Sequence, residues 1–177
     1  LDSKIHIKKA IISKKVVPDL ALIDTIPLIT MDTYLTACTG MDALTHAVEA
    51  YTSKKANAVT DMYCLDAIKR IFKYLPTAYR EPQNIEAREQ MSLAALEAGT
   101  AFNNASVTVI HGMSRPIGAL FHVPHGISNA MLMAECFDYV YDGAEKRFAD
   151  MARAIGKAAS DDSDSAAARK FVDACKE

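Results

Sequence analysis

The stretch NAVTDMYCLDAIKRIFKYL, residues 57–75, sets apolar side chains at Val59, Met62, Tyr63, Ile68, Ile71, Phe72 and Leu75. Steps of three and four residues place such side chains on one face of an α-helix, whereas a strand repeats every two. The pattern predicts a helix that buries one stripe and is ended by Pro76. The same character recurs in NIEAREQMSLAALEAGTAF, with Asn84 as its expected N-cap, in GISNAMLMAECFDYVY, and in AEKRFADMARAIG, which Gly156 closes. SDDSDSAAARKFVDAC then opens on serines and carboxylates, which favour a helix N-terminus. Only residues 5–12 (IHIKKAII) and 20–24 (LALID) suit short strands, around a break at Pro18. The expected fold is mainly α, with one or two short strands at the front.

The bulk composition narrows function mainly by exclusion. With 177 residues, half of them hydrophobic, the chain can bury a sizeable core. A net charge of −2 leaves no basic footprint for nucleic acid or an anionic membrane. No apolar run approaches the roughly 20 residues that span a bilayer. Cys38, Cys64, Cys136 and Cys175 form no CxxC pair and read as reduced, buried small hydrophobes of a cytoplasmic protein. The seven glycines include no GxGxxG or GxxxxGKS arrangement, so no nucleotide-binding loop is recognisable. Both ends fall mid-pattern, as expected of a piece of something larger.

Chemistry concentrates in two segments. MDALTHAVEAY, residues 41–51, places Asp42 and His46 four apart on an otherwise apolar helix, so carboxylate and imidazole share a face. VIHGMSRPIGALFHVPHGISNAM, residues 109–131, carries His111 and His125, each followed by a glycine that permits close backbone approach or a sharp turn. Fourteen residues is about four helical turns, so a straight helix cannot bring both imidazoles to one point. Breaks at Pro116 and Pro124 would fold the segment into two arms. Asp42, His46, His111 and His125 then form a donor set suited to a divalent first-row metal: iron(II), zinc, cobalt, nickel or manganese. The same residues also read as a surface helix pair and loop histidines, and spacing goes no further.

At these residues the chain resembles the iron-containing (group III) alcohol dehydrogenases: TGMDALTHAVEAY is similar to their first signature and HGMSRPIGALFHVPHGISNAML to their second. The resemblance runs from about residue 5 to about residue 157. It implies a dehydroquinate synthase-like architecture in which a dinucleotide-binding domain precedes an all-helical metal-binding domain. On that basis residues 1–26 are the end of the nucleotide-binding domain or linker strands, and residues 27–177 belong to the helical domain. It implies Asp42, His46, His111 and His125 as metal ligands, with Fe2+ the expected ion and Zn2+ the alternative. His122 matches no ligand position. Phe102 matches an apolar substrate-pocket position, although core packing accounts for it equally well. Arg115 stands where many members carry a further histidine near the nicotinamide. It stays protonated and is read as a contact to a cofactor phosphate or an anionic substrate group, or else as a salt-bridged structural residue. Glu49 and Tyr51 are read as structural.

The implied activity is hydride transfer between a primary or secondary alcohol or aldehyde and NAD or NADP, in a homo-oligomer, with the nucleotide held mainly by a domain outside this chain. Alone, the polypeptide is expected to bind metal weakly and not to turn over. The alternatives are a zinc-dependent glycerol dehydrogenase-like enzyme, the reductase half of a bifunctional aldehyde–alcohol dehydrogenase, and a non-catalytic helical interaction or oligomerisation module.

Overall fold

The computed structural model describes residues 13–176. Seven helices carry the fold: α1 (Thr33–Thr52), α2 (Ala58–Arg80), α3 (Ile85–Ala105), α4 (Val109–Phe121), α5 (His125–Val140), α6 (Glu145–Ala154) and α7 (Asp164–Ala174). Short 3-10 turns precede α1 and join α5 to α6.

The helix starts follow side-chain chemistry. Asp32 caps α1 by accepting from the Leu35 amide at 2.7 Å. Asn57 caps α2 in a reciprocal box with Thr60, and Asn84 caps α3 through the Ala87 amide at 3.0 Å. Ser163 does the same for α7. Each such bond satisfies an amide that the first helical turn leaves without a partner. At the other end of α6, Gly156 adopts φ +73° and its amide donates to the Arg153 carbonyl, the left-handed stop expected of it.

Three local expectations differ from the structure. Pro76 does not end α2, which continues to Arg80, and Pro116 does not break α4, which runs through it. In each case proline removes one backbone hydrogen bond, and the flanking turns carry the helix across the gap. The reversal of the second segment comes instead at His122–Pro124, where His122 takes a left-handed φ of 56° as the C-cap of α4. Residues 20–24 form no strand. They are exposed, and among the described residues no strand pairs with them. An isolated extended run has no partner for its amides and carbonyls. The strand expected at 5–12 lies outside the described residues.

α1 is the axis of the molecule and packs against α2, α3 and α5, while α4 pairs with α5 and α6 with α7. Ala43, Ala47 and Ala50 of α1 and Ala94, Ala98, Ala101 and Ala105 of α3 are buried. Their steps of three and four build a stripe of methyl groups, which lets helix axes approach closely. Gly126 brings α5 still closer: a Cβ there would stand 2.0 Å from the Cys38 carbonyl oxygen of α1. Beyond this small-residue seam, Phe137, Phe148 and Phe171 form an aromatic cluster tying α5, α6 and α7, with ring centroids 5.6–6.5 Å apart. Arg88, 1% exposed, bridges to the Thr36 hydroxyl and to the Met31 and Pro82 carbonyls, fastening the segments before α1 and α3.

Candidate metal centre

Close packing of α5 on α1, and of α4 on α5, sets the geometry of the histidines. Asp42 projects from the middle of α1, His111 from the first turn of α4, and His125 is the first residue of α5. Their donor atoms, one from each residue, lie within 4.8 Å of one another. Asp42 Oδ1 is 3.5 Å from His111 Nε2 and 3.6 Å from His125 Nε2.

His46 stands at the edge of this set. Its Nδ1 is 4.0 Å from Asp42 Oδ2, and its ring is stacked between His111 and Phe102, with centroids 4.4 and 4.3 Å away. Three of the four expected donors therefore converge, with the fourth ring packed alongside. Phe102 is half-buried against the His46 imidazole, so packing on a site residue is the contact it makes. Arg115 lies one helical turn beyond His111, exposed, and among the described residues no ion pair holds it. His122 caps α4 and does not join the donors.

Burial and charge decide the protonation of the group. Burial lowers the His46 pKa to about 4 against the opposing pull of Asp42, leaving a neutral imidazole. Burial raises the pKa of the Asp42 carboxyl, but the hydrogen bond from His111 and the neighbouring imidazoles outweigh it and hold the group below the usual range. Burial likewise opposes charge on His111, and hydrogen bonds to Asp42 and Glu49 overcome it, so its affinity for a proton is raised. The site is built to hold positive charge between its acceptors.

Two residues that sequence reasoning left out of the site belong to its surroundings. Glu49, 1% exposed, lies 2.5 Å from His111 Nδ1. Asn129, fully buried, aims its amide nitrogen into the centre, 2.5 Å from Asp42 Oδ1, 3.3 Å from His111 Nε2 and 3.4 Å from His125 Nε2. One NH2 group has two hydrogens and cannot satisfy three acceptors, and Asn129 Oδ1 is left buried without a partner. This arrangement fits a divalent cation better than a closed polar network, because a cation accepts all the inward lone pairs at once. The signal for both residues was positional: Glu49 is two helical turns from Asp42, and Asn129 is one turn from His125.

A carboxylate and imidazoles, drawn from α1, α4 and α5 and turned inward from a helical bundle, define a class of domain whose donors suit a first-row divalent ion. Residues 36–177 match the model of the Fe-containing alcohol dehydrogenase family, C-terminal region. The chain is 41% identical over 156 residues to a 1,3-propanediol dehydrogenase of Klebsiella pneumoniae, covering 88% of this chain and 40% of that protein. It is 38% identical over 171 residues to an NAD-dependent methanol dehydrogenase of Bacillus methanolicus, covering 97% and 45%. The crystal structure of a 1,3-propanediol oxidoreductase superposes with a TM-score of 0.84 at 42% identity, over 86% of this chain and 40% of that one. The chain belongs to the Fe-containing alcohol dehydrogenase family. It spans less than half the length of these relatives.

No described helix is long and apolar enough to cross a membrane. The four cysteines are free thiols.

Proposed function

We propose that this chain supplies the metal-holding half of an NAD(P)-dependent alcohol dehydrogenase, with residues 27–177 as the helical metal-binding domain and residues 1–26 as the tail of the nucleotide-binding part or a linker. The observation that carries this reading is the convergence of the Asp42, His111 and His125 donor atoms within 4.8 Å. The names of the relatives, a propanediol dehydrogenase and an NAD-dependent methanol dehydrogenase, support small alcohols or aldehydes as substrates and NAD as the nucleotide.

Asp42, His111 and His125 would hold the ion, with His46 as the fourth ligand beside them. Iron(II) is the ion proposed and zinc the alternative. A divalent ion bound there supplies Lewis acidity toward an alcohol or carbonyl oxygen during hydride exchange with the nicotinamide. The protein's own groups prepare that site. Asp42 stays ionised and contributes the negative charge of the ligand set, and His46 stays neutral with one ring-nitrogen lone pair for coordination. Phe102 covers one face of the His46 ring and helps hold its plane. Arg115, exposed one turn beyond His111, is proposed to contact a phosphate of the nucleotide or an anionic substrate group.

The test is metal analysis of the anaerobically purified full-length protein that carries this chain and of its His111→Ala and His125→Ala variants, with circular dichroism as the check on folding. The wild type should carry close to one equivalent of iron or zinc, and each variant should lose it while remaining helical. Equal metal content in all three refutes the reading.

A further inference from the structure

We propose that Glu49 is a positioning residue that fixes the tautomer and orientation of His111, and thereby sets the affinity of the centre for its cation. This rests on the metal-site reading above and goes beyond it, because Glu49 is placed outside the ligand set.

Glu49 sits on α1 two turns after Asp42 and is 1% exposed. Four donors converge on its carboxylate from the start of α4. Oε1 accepts from the Thr108 hydroxyl and from the Ile110 amide, both at 2.7 Å. Oε2 accepts from the His111 amide at 3.4 Å and from His111 Nδ1 at 2.5 Å. Glu49 is therefore an acceptor on every side.

An acceptor-only partner at Nδ1 requires that nitrogen to carry the hydrogen, which leaves the other ring nitrogen to offer a lone pair once a cation takes its place in the centre. That other nitrogen, Nε2, is the atom facing Asp42 and Asn129. The bond also fixes the ring plane, because the same carboxylate grips the His111 and Ile110 amides and the Thr108 hydroxyl. Outer groups of this kind typically change metal affinity 10- to 100-fold when removed.

Glu49→Gln separates positioning from bulk. Its amide has one acceptor and one donor end. Turned with oxygen toward His111, it sets an NH2 against the Ile110 amide. Turned the other way, it donates to Nδ1 and drives the hydrogen to Nε2, the nitrogen the cation needs. Thr108→Val removes one bond to Glu49 and leaves the tautomer alone. It serves as the variant with structural damage only.

The experiment measures zinc and cobalt(II) affinities by chelator competition on wild type, Glu49→Gln, Thr108→Val and His111→Ala, with nitrogen NMR of the imidazoles in the metal-free protein. The inference expects 10- to 100-fold weaker binding for Glu49→Gln and a shift of His111 away from the Nδ1–H form. It expects less than threefold weakening for Thr108→Val despite a lower melting temperature. Unchanged affinity and an unchanged His111 signal in a folded Glu49→Gln overturn it. Equal loss of affinity in Glu49→Gln and Thr108→Val also overturns it, since packing alone would then account for both. Unaltered binding in His111→Ala strikes the metal-site reading itself, and with it this inference.

Discussion

Gly126→Ala isolates the contact that places His125 against α1. The added methyl would sit 2.0 Å from the Cys38 carbonyl oxygen, 2.5 Å from its carbon and 3.0 Å from its Cα. These are backbone atoms within α1, so no rotamer change relieves the clash. To move from 2.0 Å to the 3.4 Å at which ordinary contact begins, α5 must shift from α1 by about 1.4 Å. Overpacking of this kind costs about 1–3 kcal/mol, and the better helix propensity of alanine returns about 0.5–1 kcal/mol. A net loss of up to about 2.5 kcal/mol is expected. The displacement also carries His125, the preceding residue, away from Asp42, which lies one turn past Cys38. Metal–ligand distances tolerate only about ±0.2 Å, so cation affinity should fall at least about tenfold, equivalent to about 1.4 kcal/mol. Urea denaturation measures the first effect and chelator competition the second. Gly112→Ala is the control, since a Cβ at that exposed helical position meets nothing within 4 Å. It should stabilise by about 0.5–1 kcal/mol. A Gly126→Ala protein as stable as wild type, with unchanged metal affinity, refutes the argument.

Ser106 holds φ 72° and ψ 165° between α3 and α4, a region that suits glycine and costs other residues about 1–3 kcal/mol. Ser106→Gly should therefore raise the unfolding free energy measured in urea, by about 0.5–2 kcal/mol after the greater unfolded-state freedom of glycine; a lower value contradicts the strain. Burial and then the nearby Asp66 raise the Glu97 carboxyl from 4.5 to about 7, against the pull of Arg70. An acid with a raised folded-state pKa binds protons more tightly when folded, so its contribution to stability falls as pH rises from 4.5 through about 7. Glu97→Gln should remove that decline, and denaturation at pH 5 and pH 8 will show whether the wild type loses more than the variant. Added zinc at 100 times its dissociation constant should stabilise the wild type by about 2.7 kcal/mol and His125→Ala by far less, as read by thermal melts; equal shifts would place the ion elsewhere.

Much of the fold was legible because periodicity and capping are local. The helical spacing of Ile68, Ile71 and Phe72, the Asn84 cap and the Gly156 stop each needed only a few neighbouring residues, and each stands in the structure. Proline was overread at Pro76 and Pro116 for a related reason. Its local cost of a few kcal/mol is visible in sequence, whereas the packing of the turns on either side is not. The two His-Gly pairs make the same point about distance. They look identical as dipeptides, yet Gly126 is pressed against the α1 backbone while Gly112 faces open space. Which glycine matters depends on which helix arrives opposite it, a tertiary fact.

The centre divides along the same line. Asp42, His111 and His125, whose donor atoms converge, were nameable as proposed ligands from spacing and resemblance, because donor chemistry is written in the residue type. Glu49 was read as structural because its partners, Thr108, Ile110 and His111, are some 60 positions away in the chain. Asn129 was overlooked because an amide is not an obvious ligand, though it shares a helix face with His125. Both contact donor atoms on other helices. What the sequence conceals is the surrounding shell that orients the donors, since it is assembled only when α4 and α5 close on α1. A chain could keep all four expected ligands and still bind its ion poorly if Glu49 or Gly126 were changed. The measurements on those two positions therefore probe a part of the site that ligand substitutions leave untouched.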